Sequence, residues 1–432
     1  MTRLTARFVG AACAVALVPA AFLHAQQLTA IRAGRLIDVD RGEIRRDQVV
    51  LVRGERIEAV QPGSVKIPGG ARVVDLSRYT VAPGLIDCHT HLIGDLQNSP
   101  LAPLERSGAQ EALSGVRNAR ATLMAGFTSV RDIGTYRALV DVALRDAIND
   151  GTVIGPRMMV AGAYVTVASG AGEVTGMAPD VVLPSDFRFG VANSAPEVRQ
   201  RVRAILNGGA DFIKILATGA VLTRGTRPGA SEFTEEELKA AVDQAAQYGA
   251  GVAAHAHGAE GIKNAVRAGV RSIEHGSLID DEGIALMKER GTYLVADIYN
   301  GDYIATAGRE QKWPEEFLRK NDETTEAQRA GFRKAVAAGV KIAYGTDSGV
   351  YPHGLNARQL PYMTRYGMTP MAALQSATIN AAQLLGREDR VGSIAPGKYA
   401  DIVAVEGDAL ADLSSFSKVS FVMKGGTIYK GP

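Results

Sequence analysis

Five of the seven histidines in the chain fall at three places: His89-Thr90-His91, His255-Ala256-His257 and His275. Imidazole nitrogen is a common ligand for divalent ions of the zinc type, so clustered histidines raise the question of a metal centre. In His89-Thr90-His91 the rings stand two residues apart, and in an extended chain such residues point to the same side, where both can grip one cation. An isolated H-x-H is weak, because two hydrogen-bonded loop histidines look the same. Its place directly after the apolar run Val81–Asp87 makes this one more specific. His257 is read differently, as turned away from His255 along the extended chain and so not a ligand of the same metal. Its expected place is facing substrate, where it could bind a carboxylate or a polarised carbonyl; a structural hydrogen bond is the competing account.

Lys214 lies inside Phe212-Ile213-Lys214-Ile215-Leu216, a run too apolar to hold an unpaired ammonium cheaply. Two accounts stay open. One is a buried salt bridge to Asp211 or another carboxylate. The other is a neutral amine that adds carbon dioxide and becomes a carbamate, whose two oxygens can bridge two metal ions. Asp347, in Tyr344-Gly345-Thr346-Asp347-Ser348, adds a carboxylate that alone would pass for a turn or N-cap residue. Nitrogen and hard oxygen donors of this kind suit zinc.

The elements that must position these groups are short β-rich apolar runs separated by longer amphipathic segments, the pattern of parallel βα units. Eight runs are expected as strands: Leu85–His89, Thr128–Asp132, Arg157–Ala161, Phe212–Leu216, Gly251–His255, Ser272–His275, Tyr293–Asp297 and Lys341–Tyr344. Thr234 with Glu237 forms a capping-box pattern, and Thr369-Pro370 reads as an N-cap followed by proline at the first helical position. Eight strands alternating with helices predict an α/β fold, a (β/α)8 TIM barrel, whose active site lies at the C-terminal ends of the strands. His89, His91, Lys214, His255, His275 and Asp347 all fall at or near those ends. The stretches Ser169–Gly176 and Tyr299–Thr325 read as long connections that shape a substrate site.

The barrel is assigned to residues 84–390. Residues 26–83 and 391–432 alternate as short strands with Gly- and Asp-containing turns, and neither segment has enough strands to close a sheet alone. They are expected to pair into one small β-sandwich domain. Residues 1–25 are set apart by Arg3 and Arg7, an apolar run from Phe8 to Leu23 and a small residue at Ala25, the pattern of a signal peptide and hence of a periplasmic or secreted protein. Its removal takes away two arginines and no acid, so the formal charge falls from +2 to 0, which gives no reason to expect nucleic-acid binding. Outside the N-terminus no run approaches the roughly 18 to 20 apolar residues of a membrane helix, so no membrane association is expected after signal removal. Cys13 would leave with the signal and Cys88 would remain as a lone thiol.

The order H-x-H, strand-four lysine, strand-five histidine, strand-six histidine and strand-eight aspartate resembles the binuclear metal-dependent amidohydrolase superfamily. The stretches Val81–His91 and Val391–Val403 match that superfamily too, so the resemblance covers nearly the whole chain after residue 25. Lys214 through Gly219, His255-Ala256-His257-Gly258 and Ile273-Glu274-His275-Gly276 are most similar to its prolidase-like dipeptidase and carboxypeptidase group, which includes enzymes that hydrolyse the amide of ochratoxin A. The resemblance implies two divalent metal ions, with His89, His91 and Asp347 on the more buried one, His255 and His275 on the outer one, and N6-carboxylysine at Lys214 bridging both. It further implies attack on an amide by a hydroxide held between the metals, with Asp347 as the base that passes its proton to the leaving amine. Four positive charges against three negative ones leave about one positive charge, which suits a small amide substrate bearing a carboxylate. A homo-oligomer is expected. One departure stands out: many relatives have a histidine in the loop after strand three, where this chain has Ser169-Gly170-Ala171-Gly172. Two alternatives are a cyclic amide, imide or amidine ring hydrolase of the same superfamily, and a non-catalytic scaffold. Lys214 weighs against deaminase-type sites, which generally lack it, and six convergent ligands weigh against a scaffold.

Overall fold

The computed structural model describes residues 27–94, 101–178 and 180–432. The expected signal segment, with Cys13, lies outside them. Strands β1 (Leu28–Asp38), β2 (Glu43–Arg53), β3 (Arg56–Pro62) and β4 (Arg72–Pro83) occupy the N-terminal part. There follow β5 (Leu85–Thr90), β6 (Phe127–Asp132), β7 (Arg157–Val160), β8 (Tyr164–Val165), β9 (Ile213–Leu216), β10 (Val252–Gly258), β11 (Ser272–Leu278) and β12 (Tyr293–Val295), with helices between most of them. The tail adds β13 (Ile402–Glu406), β14 (Phe421–Lys424) and β15 (Thr427–Lys430).

The two ends of the chain share one seven-stranded sheet in the order β15-β14-β13-β4-β1-β2-β3. Its centre is the antiparallel pairing of β13 with β4, where Ile402 stands opposite Pro83 and Val405 opposite Thr80. One apolar cluster draws on both ends, with Ile31, Val50 and Leu76 packed together with Ile402 and Phe421. The step from this sheet into β5 is made at Gly84, where a Cβ would lie 2.1 Å from the Thr128 hydroxyl; no larger residue fits.

The strands β5 to β12 form two parallel sheets, β5-β6-β7 and β12-β11-β10-β9-β8. Every residue of β5, β6, β9, β10 and β12 is buried, as strands covered by helices on one side and side chains on the other must be. The helix Glu235–Ala246 starts at Thr234 with a reciprocal capping box to Glu237, and Pro370–Ser376 starts at Thr369 with proline in its first turn.

Three expectations are corrected. Lys341–Tyr344 is not a regular strand: it makes one isolated parallel bridge, Ile342 to Leu294, and further hydrogen bonds carry it between β12 and β5, including Cys88 N to Tyr344 O at 2.8 Å. A two-residue strand, β8, pairs with β9 where no strand was expected. The supposed long connection Tyr299–Thr325 is largely helical: Asn300–Tyr303, a π-helical turn at Ile304–Gly308, and the start of the helix Glu315–Ala338. Pro314 ahead of Glu315 and Glu316 is a helix-start signal, with acids set against the positive end of the dipole.

Candidate active site

His89, His91, Lys214, His255, His257, His275 and Asp347 all line one cavity. β5 delivers His89 and the chain just past it delivers His91; β9 delivers Lys214, β10 both His255 and His257, and β11 His275. Ligand atoms of His89, His275 and Asp347 lie within 4.8 Å of one another, and so do those of His255, His257 and His275. His275 therefore sits between two groups.

His257 corrects the expectation made for it. β10 runs to Gly258 instead of ending at His255, and two residues apart on one strand means the same face. The rings of His255 and His257 are 4.6 Å apart, and those of His257 and His275 are 4.7 Å apart. The salt bridge considered for Lys214 is also absent among the described residues. Asp211 accepts from Arg145 Nη1 and from Val160 N, each at 2.9 Å, while Lys214 Nζ is buried without a hydrogen-bond partner. Burial lowers the pKa of that amine to about 8.

The rings are held from behind. Nδ1 of His89 meets Glu274 Oε2 at 2.9 Å, Nδ1 of His91 meets Gly134 O at 2.9 Å, Nδ1 of His257 meets Ser277 Oγ at 2.7 Å and Nδ1 of His275 meets Asp297 Oδ1 at 3.0 Å. Their Nε2 atoms are thereby left for the cavity, as ligand histidines require. In His255 the roles reverse, with Nε2 3.3 Å from Gly219 O. Burial lowers the pKa of His257 to about 3, and also holds His255 well below the usual imidazole range, so both rings are neutral and carry a lone pair. Asp347 Oδ1 lies 3.4 Å from Nε2 of His89 and 3.2 Å from Nε2 of His91. Burial alone would raise its pKa, but those two histidines outweigh it and hold the carboxyl well below its usual range.

His275 and Asp347 adopt left-handed backbone conformations, with φ of 68° and 57°. Such conformations in non-glycine residues cost about 1–3 kcal/mol and persist where the surroundings enforce them. Asp347 N donates to His89 O at 2.8 Å, which ties the two ligand-bearing segments together.

These features fit a pair of divalent cations: imidazoles held in place by hydrogen bonds from behind, a carboxylate between two of them, and an orphaned buried amine. Several supporting residues carried no role in the sequence reading. Glu274 and Arg131 stand behind His89. Asp297, pulled down to a pKa of about 2 because His275 outweighs burial, is held by Gln328 and by Asn300, whose Nδ2 also donates to Asp347 Oδ2 at 3.1 Å. Glu274 was inside a quoted motif and Asp297 ended an expected strand, but nothing in their spacing names their partners. The loop that departs from relatives places Ala171 and Gly172 on the cavity wall, with no imidazole.

Residues 80–429 match the family model described as the amidohydrolase family. The chain is 35% identical to ochratoxinase from Aspergillus niger over 434 aligned positions, covering 94% of this chain and 87% of that protein. Among solved structures it is similar to a Xaa-Pro dipeptidase with methionine bound in its active site, at 39% identity and a TM-score of 0.88, covering 94% of this chain and all of that one. It is also similar to a prolidase complexed with N-methylphosphonate-L-proline, at 31% identity and a TM-score of 0.87 with the same coverage.

Proposed function

The chain belongs to the amidohydrolase family and is a hydrolytic enzyme, and from that premise we propose that it cleaves the amide C–N bond of a dipeptide or an N-acyl amino acid, ochratoxin-type amides included. The observation that carries this reading is the convergence of His89, His91, Lys214, His255, His275 and Asp347 on one cavity, with the Lys214 amine buried and unpartnered. We read the two parallel sheets, joined by residues 341–348, as one (β/α)8 barrel with a β-sandwich domain beside it, and residues 1–25 as an export signal.

In this reading His89, His91 and Asp347 hold one divalent ion, and His255 and His275 the other, both taken to be zinc. Lys214, in its neutral amine form, would add carbon dioxide, release a proton and become an N6-carboxylysine, an anion that would help to hold the two ions. Ions held there supply Lewis acidity to the scissile carbonyl and lower the pKa of a water. Asp347 takes the water's proton and delivers it to the leaving nitrogen as the C–N bond breaks; the water's oxygen stays on the acyl carbon. His257, clustered with His255 and His275, accepts the Ser277 hydroxyl proton at Nδ1 in this reading and so presents an Nε2–H donor to the substrate's carbonyl or carboxylate. Among the described residues that line the cavity Lys214 is the only lysine or arginine, so a substrate carboxylate is received by a neutral donor such as Tyr136. Burial pushes the Tyr136 pKa up to about 12, which keeps its hydroxyl protonated as a donor. Leu216, Val221, Leu222 and Ile304 supply an apolar wall for the acyl group.

Elemental analysis of the purified chain tests the site, with two divalent ions per chain expected. A panel of dipeptides, N-acyl amino acids and cyclic amides then tests the substrate. Turnover of cyclic amides alone would move the assignment to ring opening, and full activity after exhaustive chelation would end the metal mechanism.

A further inference from the structure

Behind His89 lies an ion pair that the proposed chemistry does not use. Glu274 is fully buried and Arg131 nearly so. Glu274 Oε1 accepts from Arg131 Nη2 at 2.7 Å and from the Ser272 hydroxyl, and its Oε2 faces Nδ1 of His89 at 2.9 Å. Arg131 has further work: its Nε donates to Cys88 O at 2.7 Å, its Nη1 to Ser272 Oγ at 3.0 Å, and its guanidinium lies 5.4 Å over the Phe212 ring. The pair thus joins β5, β6 and β11 directly beneath the cavity. It grips His89 twice, through the ring at Nδ1 and through the backbone of the preceding residue.

A purely structural ion pair needs no such arrangement. With Arg131 and Ser272 both donating to Oε1, the carboxylate offers Oε2 to the imidazole only as an acceptor. An acceptor at Nδ1 requires the ring proton to sit on Nδ1, which leaves the Nε2 lone pair facing the cavity beside Asp347. The opposite tautomer would put an N–H where a cation must bind. We propose that Arg131 and Glu274 are a positioning pair that imposes the Nδ1–H tautomer and ring orientation of His89, and that they set metal affinity through it. The inference rests on the reading of His89 as a metal ligand, but its central claim, the tautomer, can be measured without turnover.

Glu274→Gln is the direct probe, because Arg131 would draw the amide oxygen to itself and turn the amide N–H₂ toward His89, favouring the Nε2–H form. Since a lone buried guanidinium can unfold the variant, Arg131→Met combined with Glu274→Met removes both charges at once and with them the acceptor at Nδ1. The full chain is labelled with ¹⁵N-histidine, His89 being assigned through His89→Gln, and ring nitrogen shifts are recorded after chelation. Zinc affinity is then measured by competition with a chromophoric chelator.

The wild type is expected to carry its His89 proton on Nδ1. Folded variants should populate Nε2–H and bind zinc roughly 10- to 100-fold more weakly, the range found when groups that orient a ligand histidine are lost. Arg157→Met breaks a half-buried pair with Asp401 away from the cavity, so it should lower thermal stability and leave both readings unchanged. A wild-type His89 protonated on Nε2 overturns the proposal, as do folded variants that keep Nδ1–H and bind zinc as the wild type does. The wild-type tautomer decides the matter if neither variant folds. A protein that binds zinc with the expected tautomer but hydrolyses no amide would instead sink the proposed function and leave this pairing intact.

Discussion

Lys214 and Lys320 are equally inaccessible, at 2% and 3% exposure, yet the molecule treats them oppositely. Lys320, on the helix Glu315–Ala338, donates to Glu316 Oε1 and to Thr223 O, each at 2.7 Å. Its desolvation is offset by a charge and a carbonyl, and the result is mechanical: the helix is pinned to the segment around Thr223, which forms part of the cavity wall. Lys214 receives no such compensation and its pKa falls toward 8. Stability alone does not explain leaving an amine bare in a strand. The contrast separates a buried cation kept for structure from one kept for chemistry.

Replacing Lys214 with alanine gives the largest expected effect. Activity should fall by more than ~10²-fold and at least one metal ion should be lost, while the fold persists because no hydrogen bond is broken. Small carboxylic acids added together with zinc should restore part of the turnover, since two carboxylate oxygens can stand in for those of the carbamate. A variant that stays folded, keeps two metals and turns over normally would return Lys214 to an ordinary buried lysine. Lys320→Met should invert the pattern. Loss of the paired ammonium leaves Glu316 with only the Gly225 N–H and Thr223 O with only the Thr226 hydroxyl, costing roughly 1–3 kcal/mol in denaturant unfolding, with only a several-fold loss of kcat/KM through the displaced wall. Abolished turnover in a fully stable Lys320→Met protein would erase the distinction between the two lysines.

How much of this could be read from sequence depends on where each partner lies. That His89, His91, Lys214, His255, His275 and Asp347 gather on one cavity was legible because each lies in or just after an apolar run, and a strand end is a place that local pattern can mark. Glu274 and Arg131 were not, since their partners are remote: His89 is 185 positions from Glu274, and Arg131 is 143 from it. Only sheet register brings them together. The orientation of His257 was legible from the same two-residue spacing that sets His89 and His91 on one side, and the expectation that it turns away from His255 set that spacing aside. The start of the helix Glu315–Ala338 was hidden inside a presumed loop although Pro314 and two glutamates announce it. The positive φ of His275 and Asp347 carries no sequence signal at all, because it is forced by the surrounding contacts.

Glu232 supplies the smallest effect and the sharpest control, because it is the anionic counterpart of Lys214 outside the metal cluster. It accepts one backbone N–H, from Ala171 at 2.9 Å, and burial outweighs that bond and raises its pKa to about 7. The folded protein therefore holds this proton more tightly than the unfolded chain, whose glutamate titrates near 4.5. The stability Glu232 contributes is complete below pH 4.5 and is lost as pH rises through about 7. Glu232→Gln keeps an acceptor for Ala171 N and has no charge to expose. Wild type should accordingly lose on the order of 2 kcal/mol relative to the variant between pH 5 and 8, measured by urea unfolding. Because Ala171 lines the cavity, the wild-type KM should also climb above pH 7 while that of the variant stays flat. Should the two stability curves run parallel, weak pairing of a buried charge would have no energetic consequence at Glu232, and the bare amine of Lys214 could no longer be taken as a mark of chemistry on burial alone.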